Sequence, residues 1–248
     1  HALLWKLSQS PRVSALYCAP GNGGIAGLAR CVDIAATDID GVVAFAKENR
    51  VDWVFVAPDD PLALGMVDAV QAAGIKAFGP RKNAAILEGS KVFAKALMQK
   101  YRIPTARYEV FDDVQRAEAC IRSWGGPVVV KADGLALGKG VFVTDTVEEA
   151  LAAVRAIMVD RAFGPAGSRV IIEERLSGPE VSMLCFTDGK TVRPMVSSQD
   201  HKRVRDGDQG PNTGGMGAFA PSPHYTPDVA REVLETIIRP TVRAMAAE

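Results

Sequence analysis

The chain of 248 residues sets 29 Lys and Arg against 29 Asp and Glu, a formal charge of zero that argues against nucleic acid or an anionic membrane as its main partner. A hydrophobic share of 48% and a charged share of 23% are ordinary for a soluble globular protein, and the length suits one large domain or two smaller ones. No apolar run approaches the roughly 20 residues that span a bilayer. The four cysteines, Cys18, Cys31, Cys120 and Cys185, are scattered without metal-type spacing and read as reduced thiols of a cytoplasmic protein.

The opening residues, HALLWKLSQS, pattern as a helix and not as a signal peptide. An α/β domain usually presents a strand before such a helix, so the natural start is expected to lie upstream of His1. From Val13 to Ala57 short apolar runs alternate with helical patterns. VSALYCAPGN reads as a strand entering a turn, IDGVVAFAKENR as a helix and VDWVFVAP as a buried strand. Next, Asp60 fits an N-cap, Pro61 the first helical position and Gly74 the stop of one helical run. This alternation predicts an N-terminal doubly wound parallel sheet, an α/β domain over residues 1–80.

The pattern changes near Gly79-Pro80. Ser90 can cap a helix over KVFAKALMQKY, which ends before Pro104; this region, 81–108, reads as a linker and first helix. A helix from about Val114 to Trp124 follows. PVVVKA and VFVTD are β-branched runs flanking a glycine-rich loop, and Thr146 with Glu149 forms a capping box for VEEALAAVRAIM. RVIIEERL is a strand, and EVSMLCFTDGKTVRPM reads as a hairpin turning at Asp188-Gly189. The last segment is helical, with Pro240 as a kink or break. Residues 109–172 and 173–248 are expected to form two subdomains richer in antiparallel pairing, of α+β character.

The loop ADGLALGKGV poses a choice among phosphate binders. A Walker A loop ends in Lys-Ser or Lys-Thr and enters a helix, whereas Lys139 precedes Gly140 and a strand. The dinucleotide fingerprint also requires a helix and another glycine spacing. What remains is a glycine loop joining two strands, in which Gly134, Gly138 and Gly140 let backbone N–H groups approach phosphate and Lys139 closes over it. The alternative is a plain surface hairpin turn. Lys131 shifts the balance, because an ammonium after three valines on a buried strand is costly without an anion beside it.

EGSKVFAK, VVVKADGLALGKGV and VIIEERLSGPEVS stand in the order and spacing of the ATP-grasp ligases, and SSQDHKRVRDGDQGPNTGGMGAFAPSP is similar to the glycinamide ribonucleotide synthetases among them. The resemblance covers essentially the whole chain. It implies an N-terminal pre-ATP-grasp domain followed by an ATP-grasp pair. It also implies an ATP-dependent ligase that joins glycine to 5-phosphoribosylamine through glycyl phosphate, in purine biosynthesis. The alternatives are another ATP-grasp carboxylate–amine ligase or carboxylase, and a non-catalytic nucleotide-binding module. By the same resemblance Lys91 and Lys131 would hold the nucleotide phosphates, Glu173, Glu174, Arg175 and Leu176 would line the adenine, and Glu180 would meet the ribose. Bland readings exist for each: a solvated helix lysine for Lys91, a strand-end ion pair for Lys131, charged strand residues for the acids.

On the substrate side, Asp200 can take the glycine ammonium, while Lys202 and Arg203 can hold carboxylate and phosphoryl oxygens, so these three are the catalytic candidates. His201 reads equally as a structural hydrogen-bonder. Asn212, Thr213, Gly214 and Gly215 would form a wall of the amine site, and such a cluster of charges and glycines also occurs in plain solvated loops. Asp59 at a strand end, and Gly21 and Asn22 at another, lie where open α/β sheets bind ligands. The family often has Glu at the place of Asp59, one methylene longer. The family's magnesium-binding Glu-x-Asn occurs nowhere in the chain, so Mg2+ or Mn2+ is expected to find its ligands beyond Glu248 and these residues alone are expected not to catalyse.

Overall fold

A computed structural model describes residues 1–136, 140–207 and 209–248, together with all side chains there except Pro211 and Asn212. The chain divides into two compact units, His1–Gly89 and Ser90–Glu248.

In the first unit, α1 (Ala2–Ser8) precedes β1 (Tyr17–Cys18) and β2 (Arg30–Cys31), which pair in parallel. The helix α2 (Ile39–Glu48) starts where Asp38 accepts the Gly41 N–H at 2.9 Å. Then β3 (Trp53–Phe55) pairs in parallel with β4 (Lys76–Phe78), with Val54 opposite Ala77. The parallel pairing expected from strand–helix alternation is therefore present, in two separate pairs among the described residues. Between β3 and β4 the expected single helix is two, α3 (Asp59–Leu64) and α4 (Met66–Ala72). Gly65 breaks the run at φ +99°, a left-handed conformation that glycine adopts without a Cβ penalty. The cap position is Pro58 and not Asp60, with no side-chain cap bond. Val56, Met66, Val67 and Val70 form the core, against Val42, Val43 and Leu62. The helix α5 (Lys82–Gly89) belongs to this unit, not to a linker beyond residue 80. Asp68 accepts the Lys82 N–H at 2.8 Å, and Arg81 donates to Gln71 at 2.9 Å.

The second unit opens with α6 (Lys91–Lys100), capped by Ser90, whose hydroxyl accepts the Phe93 N–H at 3.1 Å. It continues through β5 (Tyr108–Phe111), α7 (Val114–Trp124), β6 (Val128–Ala132), β7 (Val141–Val143), α8 (Val147–Met158) and β8 (Val170–Glu174). The four strands form one antiparallel sheet in the order β5-β8-β6-β7. The expected subdomain boundary at 172/173 cuts through β8, whose Glu173 still pairs with this sheet. Asp113 caps α7, and Thr146 caps α8 by accepting the Glu149 N–H at 3.2 Å. The Glu149 carboxylate reaches back to the Asp145 N–H, one residue beyond the usual box.

Alternation along β6 decides where the site can be. Val128, Val130 and Ala132 are buried against Ile121, Val154 and Ile157 of α7 and α8. Side chains of a strand alternate faces, so Val129 and Lys131 stand on the side away from these helices.

Further on, β9 (Cys185–Thr187) and β10 (Val192–Pro194) form the expected hairpin, with Asp188 accepting the N–H groups of Lys190 and Thr191. The pairs β11 (Gln199–Asp200) with β14 (Ala218–Phe219), and β12 (Arg203–Arg205) with β13 (Gln209–Asn212), fold the QDHKR stretch back on itself. The terminal helices α9 (Pro227–Val233) and α10 (Arg239–Ala247) are joined by a π-helical turn over Leu234–Ile238. That wide turn absorbs the missing N–H of Pro240, which sits in the first turn of α10. Among the described residues no helix is long and apolar enough to cross a membrane.

Candidate functional site

At the centre of the second unit lies a carboxylate shared by two lysines. Glu173, on β8, is 4% exposed, and its two oxygens form ion pairs with Lys95 of α6 and Lys131 of β6. Lys95 is also buried; it donates to the Thr105 hydroxyl at 2.6 Å and lies 5.2 Å from the Tyr108 ring centre. Lys131 is the more open partner, with 27% of its side chain exposed. Lys131 lies opposite Ile171 in the ladder, two residues from Glu173, so the pair is a diagonal contact on one face of the sheet. Sequence reading placed Glu173 beside an adenine. Its carboxylate pairs with the two ammonium groups.

A second buried acid fixes the start of the glycine loop. Asp133 follows β6 and accepts from the Ser90 hydroxyl at 3.0 Å, from the Val92 N–H at 3.2 Å and from Arg169 at 2.5 Å. The Lys91 ammonium donates to the Gly134 carbonyl at 2.6 Å, so it lies at the base of the loop and not in open solvent. Gly134 adopts φ +98°. At the far end Ala132 N–H donates to the Gly140 carbonyl at 2.8 Å, and a Cβ on Gly140 would meet that of Ala136 at 2.8 Å. Gly138 and Lys139 lie outside the described residues.

Beyond β8 the EERL residues diverge. Glu174 accepts the Arg107 N–H at 3.1 Å, Arg175 pairs with Asp145 and reaches the Thr144 carbonyl, and Leu176 is exposed. The next cluster holds Glu180, which pairs with Lys202, while Asp200 stands 3.9 Å from the same ammonium. The hydrogen bond to Glu180 raises the Lys202 pKa against the opposing effect of burial, and the Asp200 charge adds to the rise. Arg203 donates to the Gly210 carbonyl at 2.8 Å. The Thr213 N–H and hydroxyl both donate to the Lys202 carbonyl, and Gly215 N–H donates to the Thr213 hydroxyl. His201 hydrogen-bonds through its backbone to Gly217 and Met216 and lies with its ring 5.5 Å from Phe219, a structural posture. Gly214 follows Thr213 in this turn; the Asn212 side chain is outside the description. Lys202, Asp200 and Glu180 are thus brought together, and Arg203 and Thr213 brace the strands that carry them.

In the first unit, Asn22 accepts the Ile25 N–H at 3.0 Å beside Gly21, whose φ of +85° places the turn against Cys31. Asp59 is exposed at the first position of α3.

A family model described as "Phosphoribosylglycinamide synthetase, N domain" matches residues 1–88, and one described as "Phosphoribosylglycinamide synthetase, ATP-grasp (A) domain" matches residues 89–248. The chain belongs to the phosphoribosylglycinamide synthetase family. A phosphoribosylamine–glycine ligase of Yersinia pestis is 52% identical over 250 residues, covering 100% of this chain and 58% of the relative. One of Halalkalibacterium halodurans is 50% identical over 248 residues, with the same coverage. The chain therefore spans somewhat over half the length of the curated relatives it matches. Among solved structures, the phosphoribosylamine–glycine ligase of Thermotoga maritima superposes with a TM-score of 0.81 at 29% identity, over 98% of this chain and 58% of that one. A biotin carboxylase of Campylobacter jejuni, at 16% identity and a TM-score of 0.75 over 98% of this chain and 56% of that one, shares the fold.

In this phosphoribosylglycinamide synthetase chain Lys91 is held by the Gly134 carbonyl and Lys131 by Glu173, four residues all expected from the sequence, whereas Lys95, Asp133 and Arg169 were not among the expected site residues. Lys95 carried one signal: it stands four residues after Lys91, on the same face of α6. Asp133 and Arg169 carried none, because their meeting depends on how β8 enters the sheet.

Proposed function

We propose that this chain supplies the nucleotide-binding part of an ATP-dependent carbon–nitrogen ligase that joins glycine to 5-phosphoribosylamine. The products would be glycinamide ribonucleotide, ADP and phosphate, and all substrates are small molecules. The observation that carries the reading is Lys131, a half-open ammonium paired with Glu173 on the residue just before Ala132, whose N–H closes the base of the glycine loop on the Gly140 carbonyl, in a chain whose curated relatives are named phosphoribosylamine–glycine ligases.

In this scheme Lys131 and Lys91 bind the ATP phosphates, with the glycine loop and Lys139 closing over them and excluding water. The backbone of Glu174, Arg175 and Leu176 lines the adenine, and Glu180 accepts from the ribose. Lys202 and Arg203 draw the glycine carboxylate toward the γ-phosphoryl group, and Asp200 holds the ammonium. The carboxylate oxygen attacks phosphorus, ADP departs, and the amine of phosphoribosylamine then displaces phosphate from glycyl phosphate. Asp59, Gly21 and Asn22 would receive the phosphoribosylamine. Among the described residues no group of three or more His, Cys, Asp or Glu side chains lies together as a metal cluster; Mg2+ or Mn2+ bound with ATP would be held largely by the nucleotide phosphates, with one or two carboxylates of the full-length protein.

The test is the substrate dependence of ADP release by the protein in its full natural length. Release is expected to require glycine and phosphoribosylamine. Turnover with bicarbonate or formate that ignores glycine overturns the reading.

A further inference from the structure

We propose that Lys95, which would touch no substrate, is a positioning residue of the nucleotide site: it occupies one oxygen of Glu173 and so leaves the charge of Lys131 available to phosphate. The inference rests on the ATP reading above and deepens it.

Glu173 is 4% exposed and meets two cations, Lys95 at one oxygen and Lys131 at the other. The three groups together carry one net positive charge. Lys95 is sealed, with 10% of its side chain exposed, and its Thr105 bond points it at Glu173. The net charge therefore emerges at Lys131, the open member. Asp133, the other buried acid of this region, is held by Arg169, Ser90 and the Val92 N–H. Without Lys95, Glu173 would be neutralised by Lys131 alone, and an arriving triphosphate would have to pull that ammonium away from a buried carboxylate. Leaving that carboxylate unpaired is costly, so the nucleotide would lose most of what Lys131 offers.

The fold places this device on three elements distant in sequence. α6 brings Lys95, β6 brings Lys131 and β8 brings Glu173 between them, by the register that sets Lys131 opposite Ile171. A hydrophobic residue at position 95 would fill the space as well. A cation there has a purpose in balancing a carboxylate that another cation must be free to leave.

The experiment measures the dissociation constants of ATP and of adenosine for the full-length protein, its Lys95→Gln variant and the Lys95→Gln/Glu173→Gln double variant. Glutamine removes the charge while keeping an amide N–H donor, one bond closer to the backbone than the ammonium. Lys95→Gln is expected to weaken ATP at least tenfold and adenosine less than twofold, and the double substitution is expected to recover most of the ATP loss. Wild-type affinity in Lys95→Gln, a parallel loss of ATP and adenosine, or a double variant no tighter than the single one overturns the proposal. Should Lys95→Gln fail to fold, the double variant is compared with wild type directly. A tenfold loss there overturns the proposal, because no carboxylate then remains to hold Lys131 back. If the wild-type protein binds no ATP, the functional reading falls with it; the other outcomes sink this inference alone.

Discussion

Asp133 accepts the Ser90 hydroxyl at 3.0 Å, which ties the cap of α6 to the residue that leaves β6. The same hydroxyl accepts the Phe93 N–H, so one serine serves the helix and the loop base together. Asp133→Ala removes this bond, the Val92 bond and the Arg169 pair from a buried place. Hydrogen bonds to a charged group are worth about 1.5–3 kcal/mol each, without adding in full. Urea unfolding is expected to show a loss of about 3 kcal/mol. Nucleotide affinity should fall as well, because Lys91 and Gly134 lose their common anchor. A loss below 1 kcal/mol would show that the latch is not made in solution.

Lys131→Ala is expected to weaken ATP by about 1.5–3 kcal/mol, the value of a lost hydrogen bond to a charged group. The glycine KM should stay near that of wild type, since Lys202 and Arg203, proposed for the glycine carboxylate, lie between β11 and β12 and at the start of β12. Calorimetric titration with ATP gives the first quantity and initial rates the second. ATP binding at wild-type strength would remove Lys131 from the nucleotide site and leave it the strand-end ion pair it forms with Glu173.

Most helices of the second unit were legible in the sequence and the sheet order was not. Ser90, Asp113 and Thr146 cap helices through bonds to residues three positions on, so their signals are local. The order β5-β8-β6-β7 arises from pairings between distant segments, which no local pattern specifies. The division at 80 failed for the same reason: Lys82 and Arg81 return to Asp68 and Gln71 of the first unit. Gly65 misled differently, because a glycine inside an apolar period is compatible with a continuous helix until its φ of +99° is seen. In the site, Lys131 was legible as an ammonium on a buried strand. That Glu173 lies between Lys95 and Lys131 was not legible, since only the register sets that carboxylate between the two lysines.

Gly140 closes the described base of the loop against Ala132 and Ala136. A Cβ at that position would lie 2.8 Å from the Ala136 Cβ and 3.2 Å from the Ala132 Cβ, too near for the backbone to stay in place. Gly140→Ala is expected to cost about 1–3 kcal/mol as an overpacking substitution. Adding Ala136→Gly removes the nearer methyl group and should restore at least half of that loss. Thermal unfolding of both variants checks it, and a double variant no more stable than Gly140→Ala contradicts the contact.

The four cysteines are free and differ in surroundings. Cys120 of α7 is buried, and burial with the nearby Glu109 charge pushes its thiol up to about 11. At pH 8 its thiolate fraction is about one in a thousand, so alkylation should be very slow. Burial also raises Cys18 and Cys185, while Cys31 is exposed. Peptide mapping after iodoacetamide treatment should find Cys31 modified first and Cys120 modified only on unfolding. Equal labelling of Cys31 and Cys120 would mean that the α7 core opens readily.

Glu180 holds Lys202 by an ion pair, and that hydrogen bond is the main cause of the raised Lys202 pKa, against the opposing effect of burial. A lysine raised above its unfolded value of about 10.4 contributes stability that is fully present below that pH and is lost as pH rises through the higher folded value. Because 43% of the side chain is exposed, solvent screens the pair and the stability effect should be small. In the proposed mechanism Lys202 acts as a cation on the glycine carboxylate, so the glycine-dependent rate should fall on an alkaline limb. Glu180→Gln removes the first cause of the shift and should move that limb toward lower pH, whereas Asp200→Asn should move it less. Measuring kcat between pH 8 and the onset of alkaline unfolding distinguishes the two variants. A limb that stays in place in Glu180→Gln would show that Lys202 does not set it.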